Sequence, residues 1–193
     1  MRTKFSLNLL FSCLVLFTIR LACFAQQRIQ LKYQPTQYQK AVAMTNAVGG
    51  GYILISNADF FGEADILITR LDDYFNVLWN KRVGILGMQE YASSFFQDAD
   101  GNIYISGVRY PDEILLFKTD SSANLIWNSG YNFPQNTKEP LINGDAINGI
   151  FLMTNVQDGA GGDTLIVMRF DTSGVVAWSN SIGRLSPFYE IET

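Results

Sequence analysis

The chain has 193 residues, 48% of them hydrophobic, with 18 acidic against 14 basic side chains and no histidine. Without imidazole, Ser-His-Asp and Cys-His catalysis and histidine metal ligation are excluded within the chain. The acidic balance, with no basic cluster interleaved with aromatics, argues against nucleic acid and anionic lipid as partners.

In chain order, the first segment reads as an export signal. Arg2 and Lys4 precede a mostly apolar run from Leu7 to Ile19, and Cys23-Phe24-Ala25 offers small residues for a cut before Gln26. Residues 1–25 are therefore predicted to be a signal peptide. Two alternatives stay open. One is an uncleaved anchor, although the run is short for a span, which needs about 20 residues. The other is lipidation at Cys23, where Arg20 stands in place of an apolar residue. Cys13 and Cys23 are the only cysteines, so the exported part is expected to hold no thiol. Residues 26–193 are enough to bury a core without disulfides. The expected location is secreted, periplasmic or on the outer-membrane surface of a bacterium, with no membrane span left after cleavage.

Beyond the leader, Ile29 to Tyr33 reads as an outer strand, and then three segments align with one another. Gly51-Tyr52-Ile53-Leu54-Ile55-Ser56, Gly101-Asn102-Ile103-Tyr104-Ile105-Ser106 and Gly149-Ile150-Phe151-Leu152-Met153-Thr154 open the three matches. Apolar runs ending in Arg70-Leu71-Asp72, Lys118-Thr119-Asp120 and Arg169-Phe170-Asp171 follow. Each match closes on a tryptophan: Trp79, Trp127 and Trp178, separated by 48 and 51 residues. A period near 50 built from short apolar runs and glycine turns predicts repeated β-sheet units. The units span about 40–84, 89–131 and 138–183. In the middle one, strands are expected near 91–97, 102–108, 113–119 and 124–131. The second and third runs of each unit are nearly continuous in apolar residues, which implies burial on both faces. The fold class is all-β, with about three four-stranded antiparallel blades plus partial flanking strands.

These residues resemble the repeats of secreted bacterial β-propeller proteins. The shared pattern is Gly51-Tyr52, Asp65, Arg70-Leu71-Asp72 and Trp79, with Glu113, Lys118-Thr119-Asp120 and Trp127, then Arg169-Phe170-Asp171, Ser173-Gly174 and Trp178. The segment 132–147, with Pro134 and Pro140, departs from it. Trp79 to Gly84 and Trp178 to Gly183 are also similar to the tryptophan-docking repeats of quinoprotein propellers, whereas Trp127 is followed by Gly130. The resemblance implies that each tryptophan packs between neighbouring blades. Residues 188–193 match the start of a further unit, so an incomplete propeller is expected, with apolar end faces that favour association.

Candidate sites are few. The recurrent Asp72, Asp120 and Asp171, each two residues after a cation, suit the start of a turn better than a ligand site, because they recur in every unit. Asp98, Asp100 and Asn102 place oxygen ligands at alternate positions, as a calcium loop begins, but Ile103 and Arg109 stand where its glycine and closing acid belong. Asp158 to Asp163 is glycine-rich without a following helix, so it reads as a loop and not a phosphate cradle. Phe60, Phe61 and Tyr110 fall in inter-strand loops, where aromatics stack on sugars, meet a protein or pack on the adjacent blade. No cofactor and no catalytic residue is assigned. The expected function is a non-enzymatic binding or scaffold module for a protein or glycan. The alternatives are a fragment of a quinone-dependent dehydrogenase or of a carbohydrate-active propeller protein.

Overall fold

A computed structural model describes residues 39–60, 63–110, 113–132, 139–145, 149–157 and 162–183. The chain divides into residues 1–34 and 35–193, and every described residue belongs to the second unit. The predicted signal peptide, the strand expected at 29–33, Phe61 and the stretch 188–193 lie outside the described residues.

All regular structure among the described residues is β. The first sheet holds β1 (Gln39–Asn46), β2 (Tyr52–Phe60), β3 (Glu63–Leu71) and β4 (Val77–Val83). The second holds β5 (Glu90–Gln97), β6 (Ile103–Arg109), β7 (Glu113–Thr119) and β8 (Leu125–Asn132). The third holds β9 (Leu141–Asp145), β10 (Gly149–Gln157), β11 (Asp163–Phe170) and β12 (Val176–Gly183). Each sheet is an antiparallel meander in which every strand pairs with its sequence neighbour. The middle-unit strands lie within a residue of their predicted bounds. The short β9 follows Pro140, in the segment whose prolines set it apart from the repeat. Among the described residues no helix is long and apolar enough to cross a membrane.

Burial explains the strand composition. In β3, β6 and β7 buried residues run consecutively, because each strand presents one face to each side. One apolar cluster joins Ile53, Ile55, Ile66 and Ile68 of the first sheet to Ile103, Ile105, Leu115 and Phe117 of the second. Another joins Tyr104, Ile114 and Leu116 of the second sheet to Leu152, Met168 and Phe170 of the third. The sheets therefore stack face to face in chain order. Contacts between sheets concentrate on the first strand of the following sheet: β5 touches β1, β2 and β3, and β9 touches β5 and β6. At the opposite edge a groove of about 480 Å³ opens between Ser129–Tyr131 of β8 and Val176 of β12.

The register corrects one part of the repeat alignment. Gly50 donates to the Ala47 carbonyl just as Gly101 donates to Asp98, and Ala47 and Asp98 donate to the carbonyls of Gly51 and Asn102. Gly101 therefore corresponds to Gly50, not Gly51, and the middle unit is displaced by one residue along its second strand. Because side chains alternate, that displacement exchanges faces. Ile53 pairs with Arg70, and its counterparts are Tyr104 opposite Lys118 and Phe151 opposite Arg169. Ile53 and Ile103, aligned by sequence, instead meet within one cluster from opposite sheets. Three consecutive glycines at 49–51 made the sequence alignment degenerate at this turn.

Candidate functional site

The aspartate turns occupy one end of the sheets, where β3 leads to β4, β7 to β8 and β11 to β12. Asp72 accepts hydrogen bonds from the Tyr74 and Asn76 amides, both at 2.8 Å, and Asp120 from Ser122 and Asn124 at 2.9 and 2.8 Å. Asp171 accepts from the Ser173 and Val175 amides and from the Ser173 hydroxyl. These donors hold the three carboxyls below the ordinary range. The leading causes are the Asn76 side chain for Asp72, the Asn124 amide for Asp120 and the Ser173 hydroxyl for Asp171. The turn then needs a left-handed residue at its fourth position, filled by Phe75, Ala123 and Gly174 with φ of 63°, 58° and 86°. A bulge follows in each unit, between Arg70 and Leu71, Lys118 and Thr119, and Arg169 and Phe170. It sets the tryptophan opposite the cation: Trp79 against Arg70, Trp127 against Lys118, Trp178 against Arg169.

The sequence-predicted calcium ligands make the same kind of turn between β5 and β6. Asp98 is buried and accepts from the Asp100 and Asn102 amides at 3.0 and 2.9 Å and from the Asn102 side chain at 2.8 Å. Its two oxygens are thus engaged by nitrogen donors of its own turn, while Asp100 is exposed. Among the described residues no three acidic, histidine or cysteine side chains gather as a metal site.

Two of the tryptophans dock on the next sheet. Trp79 packs against the cluster that includes Ala123. Trp127 lies on Gly174, where an added Cβ would come 3.0 Å from the indole ring, and its Nε1 donates to the Thr172 carbonyl at 3.2 Å. Lys81 donates to Asn124 and Lys118 to the Thr172 carbonyl, so the cation beside each indole reaches the same turn. Polar ties also run from the second strand of one sheet to the start of the next. Asn57 exchanges two hydrogen bonds with the backbone of Ala92, at the bulge in β5, and Ser106 donates to the Pro140 carbonyl.

The opposite end of the sheets carries the aromatic candidates and a charged network. Tyr110 is 71% exposed, and its amide donates to the Gln89 carbonyl. Phe60 ends β2 opposite Glu63, and its side chain is outside the described residues, as is Phe61. Glu90, fully buried, receives Arg109 through Nε at 2.9 Å and Nη2 at 2.8 Å, and Arg109 also pairs with Glu113. Asp65 is buried beside Arg82. Burial pushes its carboxyl up, the Arg82 guanidinium opposes this, and Glu90 and Glu63 add to the rise. The acid of the repeat pattern, Asp65 and Glu113, therefore anchors an arginine in each of the first two sheets.

Between these elements, beside the first strands, lies a cleft of about 240 Å³ lined by Lys40, Asn57, Tyr91, Ser93, Val108 and Glu139. Tyr91 pairs with Val108, so both share one face of the second sheet, and Tyr110 lies in the turn that follows β6. The cleft thus offers an aromatic ring, an ammonium group, a carboxylate and an amide within a small concave surface. The Ser93 hydroxyl donates to the Pro140 carbonyl, which commits its proton away from any base. Lys40, Tyr91 and Glu139 escape sequence reasoning because they come from three different units and carry no local motif. Their one sequence signal is position, each lying in or just before a unit's first strand. No protein-family model matches this chain, and comparison with curated proteins returns no match.

Proposed function

We propose that the three sheets are consecutive blades of a β-propeller-type array. On this reading the chain is a non-enzymatic binding module acting outside the cytoplasmic membrane, with an oligosaccharide as its ligand. The observation that carries the reading is the cleft beside the first strands, with Tyr91, Lys40 and Glu139 around it and Tyr110 exposed in the turn after β6. Sugars present apolar C–H faces to aromatic rings and hydroxyls to charged and amide groups, which is the mixture found here. Contacts concentrated on the first strand of the following sheet and an open outer edge support the blade reading, since radial sheets crowd at the centre and diverge outward. The leader-like residues 1–25 support export.

A glycan array probed with the full chain tests this. Binding of a defined oligosaccharide should weaken about tenfold in Tyr91→Ala, the loss of roughly one stacking contact. Turnover of the bound glycan would replace the binding-module reading with a carbohydrate-active one. A blank array, or affinity indifferent to both Tyr91→Ala and Lys40→Ala, would overturn the ligand assignment.

A further inference from the structure

The outer face of the third sheet repeats, residue for residue in register, two faces that are covered within the chain. Phe151, Met153, Leu165, Val167, Trp178 and Ile182 lie on it, as the pairing of β10, β11 and β12 requires. Their counterparts in the first two sheets are buried against the next sheet. Here Met153 is 38%, Trp178 43% and Ile182 60% exposed. β10 accordingly alternates between buried and exposed residues although its sequence is as apolar as β6. Trp178 is nevertheless set as if for docking. Its ring meets Phe151 edge-on at 6.3 Å and 63°, and docked Trp127 meets Tyr104, the register equivalent, at 6.3 Å and 64°.

We propose that this face is a docking surface for one further four-stranded unit of the same repeat, carrying glycine or alanine at the fourth position of its aspartate turn. The two interfaces inside the chain define that requirement. The Trp127 indole lies over Gly174, the fourth residue of its turn, and Trp79 packs against the cluster that contains Ala123, the fourth residue of the turn before it. The first sheet of a second copy does not meet it. Phe75 holds that position and stacks on Tyr52 at 4.6 Å and 8°, filling the space above the strand.

The test extends the full chain after Thr193 with a second copy of residues 138–183 in which the copied Met153 is leucine and the copied Trp178 is phenylalanine, so that only the original probes report; one version is otherwise unchanged and the other also has phenylalanine in place of the copied Gly174. Hydrogen peroxide oxidation of Met153, followed by mass spectrometry, reads whether the face is covered. In the unchanged version oxidation should slow by about tenfold or more, because burial shields the thioether, and acrylamide quenching of Trp178 should fall with it. The phenylalanine version should protect neither. Equal protection in both versions would overturn the turn requirement. No protection in the first would overturn the docking surface, even if the added unit stayed unfolded, because a complementary face should template its neighbour. Protection that grows with concentration in the unextended chain would assign the face to a second copy instead.

Discussion

Trp127 and Trp178 occupy the same place in two successive sheets, opposite a cation and edge-on to an aromatic ring at the same distance. One is covered by the following sheet and hydrogen-bonded to it, and the other is 43% exposed. The local geometry of the repeat is therefore set within each unit, by the aspartate turn and the bulge that follows it. Stability in such stacks is a sum of unit and interface terms, and this pair separates the two.

The largest expected effect breaks the covered interface. Trp127→Ala removes an aromatic that packs on Gly174 and the apolar cluster of the third sheet, so it should cost about 3–5 kcal/mol in urea melts of the full chain. A loss under about 1 kcal/mol would mean that the second and third sheets are not held together through this residue. Next comes Gly174→Phe, which places in the third sheet the residue that the first sheet carries as Phe75. Left-handed strain and overpacking against the indole should together cost about 2–4 kcal/mol. Gly174→Ala should cost only about 1–2 kcal/mol, because Ala123 already holds the equivalent left-handed position in the second sheet.

Acidification should loosen all three aspartate turns more gently. Asp72, Asp120 and Asp171 have folded-state pKa values below their unfolded ones. Their contribution is therefore complete above the unfolded value of about 3.9 and is lost as pH falls through the folded values. Asp65 runs the other way. Its carboxyl is raised by burial, so its ionised form weakens the fold, and protonation relieves this as pH falls through its raised value. Urea midpoints measured from pH 7 downward should hold or rise slightly before falling below about pH 4. Asp120→Asn, which keeps an acceptor oxygen but does not titrate, should flatten the final fall. An unchanged slope in that variant would show that the turns do not set the acid limit.

The repeat itself was legible because its signals are local. Tryptophan spacing, the aspartate two residues after a cation and continuous apolar runs each follow from one turn or one strand. Asp72 and Asp120 start one kind of turn, and Asp98 belongs to the same motif, with Asn102 closing it as Asn76 and Asn124 close theirs. The one-residue displacement of the middle unit was hidden, since consecutive glycines at 49–51 offer no way to choose which one matches Gly101. Only the inter-strand register decides it. The cleft was hidden for a different reason. Lys40, Tyr91 and Glu139 come together through stacking of the sheets, and nothing in any single strand marks them as neighbours.

The smallest expected effect is also the most discriminating. Trp178→Ala deletes the same side chain as Trp127→Ala, from the same position in the repeat. Its ring meets Phe151 edge-on and sits across from Arg169, and it stays 43% exposed. An aromatic pair contributes about 0.5–1.5 kcal/mol, and exposed substitutions otherwise stay within about 0.5 kcal/mol. Trp178→Ala should therefore cost about 1 kcal/mol or less in the same urea melts. The difference between the two variants then measures what a following sheet adds to a docked indole. If Trp178→Ala were as costly as Trp127→Ala, the indole would already be covered in the isolated chain. The outer face of the third sheet would then be occupied, and could not receive a further unit.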